Sequence, residues 1–146
     1  MIRAAKLADL DAIVELAVVS VSRDPLPVTI DRAAMREMAR SLIGHPAHFI
    51  WVSEIDGLVK ACVAACVQVG FWFRGTQASV LLFFSDGGEG AQLLVRFARW
   101  VKSRPAIKLA VFELEPDVDP RIENLLRRLG FTRASTNLTY VRAAPA

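Results

Sequence analysis

Apolar and polar positions change period repeatedly along the chain, and each change marks an element. "MIRAAK" opens on apolar residues and reads as a short first strand. "ADLDAIVELAVVSVS" then places Leu10, Ile13, Val14, Leu16 and Ala17 at helical spacing. Asp9, Asp11 and Glu15 fall in its opening turns, where the positive end of a helix dipole favours carboxylates. "RDPLPVT" holds two prolines and breaks the pattern. "IDRAAMREMARSLIG" aligns Met35, Met38 and Leu42 on one side and stops at Gly44, which predicts a second helix.

The middle of the chain shifts to strand character. "HFIWVSEIDGLVKACVAACVQVGFWF" is rich in β-branched and aromatic residues, and Asp56-Gly57 divides it as a hairpin turn would. Two antiparallel strands are predicted near 48–55 and 58–69, and a third near 78–84 after "FWFRGTQ". The third lacks charged residues, so both of its faces should be covered.

Helical spacing returns in "AQLLVRFARWVKS", with Leu93, Leu94, Phe97 and Val101 as the apolar stripe and Arg96, Arg99 and Lys102 off it. "IKLAVFELE" reads as a fifth strand. "VDPRIENLLRRLGF" reads as a last helix, capped by Asp119 with Pro120 at its first position, and ending at Gly130. "TRASTNLTYVR" predicts one or two closing strands. The order β-α-α-β-β-β-α-β-α-β describes an α/β domain, antiparallel first and with a β-α-β crossover later.

Length and composition narrow the class. The 146 residues fit one domain, 1–146, and over half of them are apolar, which excludes a disordered chain. A net charge of +3, with arginines dispersed, argues by itself for neither nucleic acid nor membrane. Cys62 and Cys66 on a strand would lie on one face, roughly 13 Å apart, beyond the roughly 7 Å limit of a disulfide. They read as buried free thiols in a reducing, cytoplasmic setting. Their spacing fits no zinc site, and His45 and His48 are too few to complete one, so no metal is expected. The charged start reads as lacking a signal peptide, and no apolar run is long enough to span a bilayer.

The candidate chemistry centres on "SDGGEGA", where a strand passes through Gly87, Gly88 and Gly90 into a helix. The first N–H groups of a helix have no intrahelical acceptor, and glycines let a ligand come close, so the stretch suits a phosphate. It has neither the Gly-Lys-Ser/Thr of a P-loop nor the spacing of a dinucleotide fingerprint. Asp86 and Glu89 would repel a diphosphate if they pointed inward. A bare strand-to-helix turn explains the glycines equally well.

"IRAAKLADLDAIVEL", "GGEGAQLL" at a strand–helix junction and "LLRRLGF" before a closing strand occur in this order along the chain. Together they resemble the GNAT superfamily of N-acetyltransferases. The family's Gln/Arg-x-x-Gly-x-Gly/Ala loop falls on Ser85 to Gly90, with Gly88 and Gly90 matching and Ser85 replacing the usual Gln or Arg. The resemblance implies a mixed, mainly antiparallel sheet with splayed central strands flanked by helices. It also implies acetyl-CoA as co-substrate, with pantetheine along the backbone of Leu82, Phe83 and Phe84. The pyrophosphate would lie on Gly87, Gly88, Glu89, Gly90 and Ala91. Arg96, Arg99 or the arginines of the last helix are candidates for the adenosine 3′-phosphate.

The acid–base groups depart from the family pattern. Leu126 stands where the family commonly has a tyrosine that protonates the departing thiolate, and a leucine cannot donate a proton. Tyr140 belongs to the closing strand. Glu113, with Glu115 at the end of the fifth strand, is the candidate base. Two functions follow: an acetyl-CoA-dependent N-acetyltransferase acting on an amine by direct attack, or a non-catalytic GNAT-like acyl-CoA-binding, structural or phage-type accessory protein. "SRDPLPVT" and "GFWFRGTQ" are expected beside the acceptor site. Phe71, Trp72 and Phe73 fit either an apolar acceptor pocket or a homodimer contact. No nucleic acid or membrane partner is expected.

Overall fold

The computed structural model describes residues 1–23, 26, 28–87, 89–115 and 117–142. One five-stranded sheet runs in the order β1 (Ile2–Ala4), β2 (Phe49–Ile55), β3 (Leu58–Val69), β4 (Thr76–Ser85) and β5 (Ile107–Val111). Neighbours from β1 to β4 are antiparallel, and β5 runs parallel to β4. Helices α1 (Leu10–Arg23) and α2 (Arg32–Leu42) cover one face. Helices α3 (Gly90–Lys102) and α4 (Pro120–Arg128) cover the other.

This sandwich covers β3 on both faces, whereas β4, the strand without charges that is expected to be covered on both, is covered only in part, with Leu81 49% exposed. Cys62 and Ala64 pack with Leu10, Ile13 and Leu42 on the α1/α2 face. Ala61, Val63 and Ala65 pack with Leu93, Leu94 and Phe97 on the α3/α4 face. Cys62 and Cys66 are free, on the same face, with Cys62 buried and Cys66 half-buried. Burial pushes the Cys62 thiol up to about 12, so it remains an inert core group. The β2–β3 turn has φ of 53° at Asp56 and 78° at Gly57, the doubly left-handed geometry that the Asp-Gly pair predicts. Asp119 caps α4, its carboxylate accepting the Arg121 N–H at 3.0 Å, with Pro120 next.

Two predicted strands differ. β5 ends at Val111 rather than near 115, because β4 diverges there and the ladder between the two strands stops. Residues 132–142 form no strand, and Leu138 and Tyr140 are exposed. Strand preference reflects packing against neighbours, and this threonine-rich stretch has little apolar face to bury.

An ion-pair fork anchors the first strand. Arg3 Nη1 and Nη2 donate to Asp9 Oδ2 and Oδ1 at 2.7 and 2.9 Å, and Nε donates to Glu54 Oε2 at 2.9 Å. The Lys6 N–H also donates to Asp9 Oδ2 at 2.8 Å, closing a 3-10 turn at Leu7–Asp9. Asp9 therefore ties β1 to the start of α1, and Arg3 extends the link to β2 through Glu54, beyond any effect on the helix dipole.

Arg3 holds the Asp9 carboxyl below its ordinary value. Its stabilisation is thus complete above the unfolded value of about 3.9 and is lost as pH falls through the lower folded value. Urea titrations at pH 7 should find Asp9→Asn about 2 kcal/mol less stable than the parent. The gap should close as the pH falls below about 4.

Candidate active-site cleft

The pairing of β4 with β5 ends halfway along β4. Thr76 faces Ile107 and Ser79 faces Val111, and beyond that point β4 is held by β3 alone. The β3–β4 register slips at the same place: Ala65 faces Val80 and Ala64 faces Leu82, which leaves Leu81 as the extra residue of a bulge. A bulge bends its strand and increases the twist. β4 is therefore turned away where β5 stops, and a wedge opens between them.

The wedge is a cleft of about 210 Å³ lined chiefly by residues 80–83 and 112–115, with Ser20, Val118 and Ile122. Phe83 and Phe112 meet edge to face across it, with ring centroids 5.8 Å apart. A hollow of about 270 Å³ also lies between α1 and α2. Its walls are joined by the ion pairs Arg32–Glu15 and Arg36–Asp11, so its polar groups are already engaged.

Strand geometry decides which backbone groups face the cleft. The Asp86 N–H donates to the Lys60 carbonyl of β3 at 2.8 Å. Antiparallel pairs alternate, so Phe84 and Leu82 also direct their backbone groups to β3. Phe83 and Ser85 turn theirs to the open side. The side chains divide in the same way: Leu82 packs on the α1/α2 face, as Phe84 does beneath the Arg23 guanidinium at 4.7 Å, and Phe83 lies on the opposite face.

The glycine turn and the start of α3 follow Ser85. Gly87 has φ of +68° with open space around it, and Gly88 lies outside the described residues. Gly90 is buried for a steric reason. A Cβ there would stand 2.7 Å from Ser85 Oγ and 2.8 Å from its Cβ. Gly90 thus lets α3 rest directly on the end of β4. Ala91 is exposed, and the N–H groups of Gly90 and Ala91 belong to the helix turn that lacks internal acceptors.

Glu89 is turned to another task. Its N–H donates to Ser53 Oγ at 3.3 Å, and its Oε1 accepts from Ser53 Oγ at 3.3 Å and from the Met1 amine at 2.6 Å. The bond from that amine lowers the Glu89 carboxyl from its ordinary value. The charge is thereby drawn toward β1 and β2 rather than set against an anion at the turn.

Glu113 and Glu115 line the cleft from the segment after β5, and Glu113 is exposed. Leu126 is buried with Leu93, Leu94 and Phe97 rather than at the cleft. Tyr140 is exposed on the closing segment. Arg96 stacks on Trp51 at 4.4 Å, on the β2 side of α3. Several cleft residues were not read from the sequence, and Ser20 is the polar one among them. Its signal was a hydroxyl in register with Ile13, Leu16 and Ala17, on the stripe of α1 that faces the sheet.

The expected neighbours of the cleft separate. "GFWFRGTQ", expected beside the acceptor site, runs into the first residues of β4 at the end away from the glycine turn and is not part of the cleft lining. "SRDPLPVT" includes residues 24, 25 and 27, which lie outside the described residues.

No protein-family model and no curated protein matches the sequence. Solved structures do match in three dimensions. A predicted acetyltransferase with acetyl-CoA from Clostridium acetobutylicum superposes with a TM-score of 0.76 at 14% identity, covering 97% of this chain and 95% of that one. Glucosamine-6-phosphate N-acetyltransferase from Arabidopsis thaliana gives 0.69 at 13% identity, with 97% of each chain covered. An aminoglycoside 6′-N-acetyltransferase from Acinetobacter haemolyticus gives 0.69 at 13%, with 99% of each covered. At these identities the likeness establishes the fold: this chain has the GNAT architecture, with helices flanking a mostly antiparallel sheet.

Two substitutions test the packing at the cleft. Gly90→Ala should lower stability by about 1–3 kcal/mol in chemical unfolding. Ser85→Gly in the same chain should recover much of that loss, because it removes the two closest atoms the new Cβ would meet and leaves only Phe83 Cζ, at 3.3 Å. Leu126→Tyr should also cost about 1–3 kcal/mol, as an oversized ring in a filled core whose hydroxyl needs a partner.

Proposed function

We propose that this protein is an acetyl-CoA-dependent N-acetyltransferase whose thioester lies in the β4/β5 wedge. The observation that carries the reading is the end of strand pairing at Ser79–Val111, with the glycine turn and the start of α3 at the far end of β4. The fold shared with an acetyltransferase bearing acetyl-CoA supports it.

The residues fit such a ligand. The cleft volume of about 210 Å³ is below the roughly 300–1,000 Å³ of pockets that enclose a drug-sized molecule, so it suits a slender arm with its bulky end outside. Phe83 and Ser85 would bond the amides of a pantetheine arm as a strand would. Gly87, Gly90 and Ala91 would receive the pyrophosphate, with Gly88 between them, while Glu89 stays on Ser53 and the Met1 amine.

In this reading the acceptor enters from the other side of the wedge. Glu113, directly or through a water, takes a proton from the ammonium. The freed amine nitrogen attacks the thioester carbonyl carbon, the C–S bond breaks, and the thiolate takes up a proton. The Ser20 hydroxyl is the neutral donor on the cleft wall that can serve the leaving sulfur. Positioning supplies much of the acceleration, up to roughly 7–11 kcal/mol in favourable intramolecular cases, so a tyrosine is not obligatory.

A non-catalytic acyl-CoA-binding protein is the second reading. One observation favours it: Leu126, where the resemblance leads one to expect a phenol, is packed into the core.

Calorimetry on the full chain should find acetyl-CoA binding that Leu81→Trp weakens at least tenfold. Leu81 lines the cleft and is 49% exposed, so this change should leave the unfolding midpoint nearly unaltered. Glu113→Gln should lower turnover about 10²-fold at unchanged acetyl-CoA affinity. Absence of acetyl-CoA binding in the parent removes the proposal. Binding without CoA release across a broad amine panel selects the second reading.

A further inference from the structure

The turn joining β3 and β4 presents apolar side chains to solvent in a braced form. The Gly70 N–H donates to the Gly75 carbonyl at 2.9 Å and closes the turn. The Phe73 ring folds back over Gly70 so closely that a Cβ there would lie 2.7 Å from it, and the Trp72 ring stands edge-on to Phe73 at 5.1 Å. Phe71 is 99% exposed, Val69 85% and Trp72 76%. These side chains project from a closed loop that is held by its own packing.

Cations border the tip. Arg74 lies in the turn itself, and a Cβ on Gly75 would be 2.8 Å from Lys108 Cγ. The Thr76 N–H donates to the Ala106 carbonyl at 2.8 Å, and the Ile107 N–H to the Arg104 carbonyl at 2.9 Å, which brings the Arg104 segment alongside. No acidic residue occurs between Gly57 and Ser85 or between Gly90 and Phe112. The carboxylates Asp86, Glu113 and Glu115 stand toward the other end of β4 and beside the cleft.

We infer that this tip seats the protein on an anionic phospholipid surface, with Phe71, Trp72 and Val69 entering the interface and Arg74 and Lys108 meeting the headgroup phosphates. Aromatic side chains favour the boundary between headgroup and acyl chain, and nearby cations add attraction to anionic lipid. A standard protein interface uses roughly 800 Å² per partner, whereas a bilayer needs only a narrow wedge of the kind these few side chains form. Among the described residues no helix is long and apolar enough to cross a membrane, so the contact is peripheral. The cleft begins at Val80, about 13 Å along β4 from Thr76 at about 3.3 Å per residue, and runs away from the tip, so it stays accessible while the tip is seated.

The test is co-sedimentation of the full chain with vesicles of phosphatidylcholine alone and of phosphatidylcholine with phosphatidylserine at 3:1. The parent should bind the anionic vesicles, with a blue shift of tryptophan emission. Phe71→Ser with Trp72→Ser should reduce binding at least tenfold while the unfolding midpoint holds. Arg74→Gln and Lys108→Gln should each reduce it about fivefold, an effect that high salt removes. Absence of binding by the parent overturns the inference, as does equal binding by the double variant. It is equally overturned if the double substitution instead abolishes self-association or oligonucleotide binding in a chain that ignores vesicles.

Discussion

The structure turns on where the parallel pairing of β4 and β5 stops. Up to Ser79 and Val111 the strands share one ladder, and past it β4 bends at Leu81 while the chain after β5 leaves the sheet. A continuous ladder would satisfy more backbone groups, since each unpaired group in a sheet interior carries a cost. Here the freed groups of Phe83 and Ser85 border a cleft, where water or a ligand can satisfy them. The Phe83–Phe112 contact keeps the wedge from spreading further.

The packing around the wedge is tight where it supports the opening. α3 approaches the end of β4 through Gly90, and its Leu93, Leu94 and Phe97 are fully buried against β3. On the other face Cys62, Ala64 and Val52 meet α1 and α2. β3 is thus clamped from both sides, and it carries the unpaired half of β4 as a rigid ledge. The Arg3–Asp9 fork performs a similar service at the opposite edge of the sheet, holding the short β1 to the start of α1.

The molecule is also polarised along β4. One end carries the glycine turn, Asp86 and the carboxylates of residues 113 and 115, and the other carries an aromatic tip among cations. The net charge of +3 conceals this separation, because it sums over both ends. Arg74 and Lys108, far apart in the sequence, come together once the start of β5 is laid beside the β3–β4 turn.

Periodicity in the chain determined the helices, the Asp56-Gly57 hairpin and the capping by Asp119, because each depends on neighbours a few residues apart. The glycine motif likewise located the strand-to-helix junction. Other features rest on contacts distant in sequence and were decided only by the tertiary structure. β5 stopped at Val111 because β4 turned away from it, and residues 132–142 stayed out of the sheet despite their strand-like composition. Gly90 owes its place to the steric demand of Ser85, and Glu89 turned toward Ser53 and the Met1 amine. Ser20 joined the cleft from a helix whose pattern announced only a core face. A period along the chain reports which face a residue occupies, whereas the partner across that face is set by how the elements assemble.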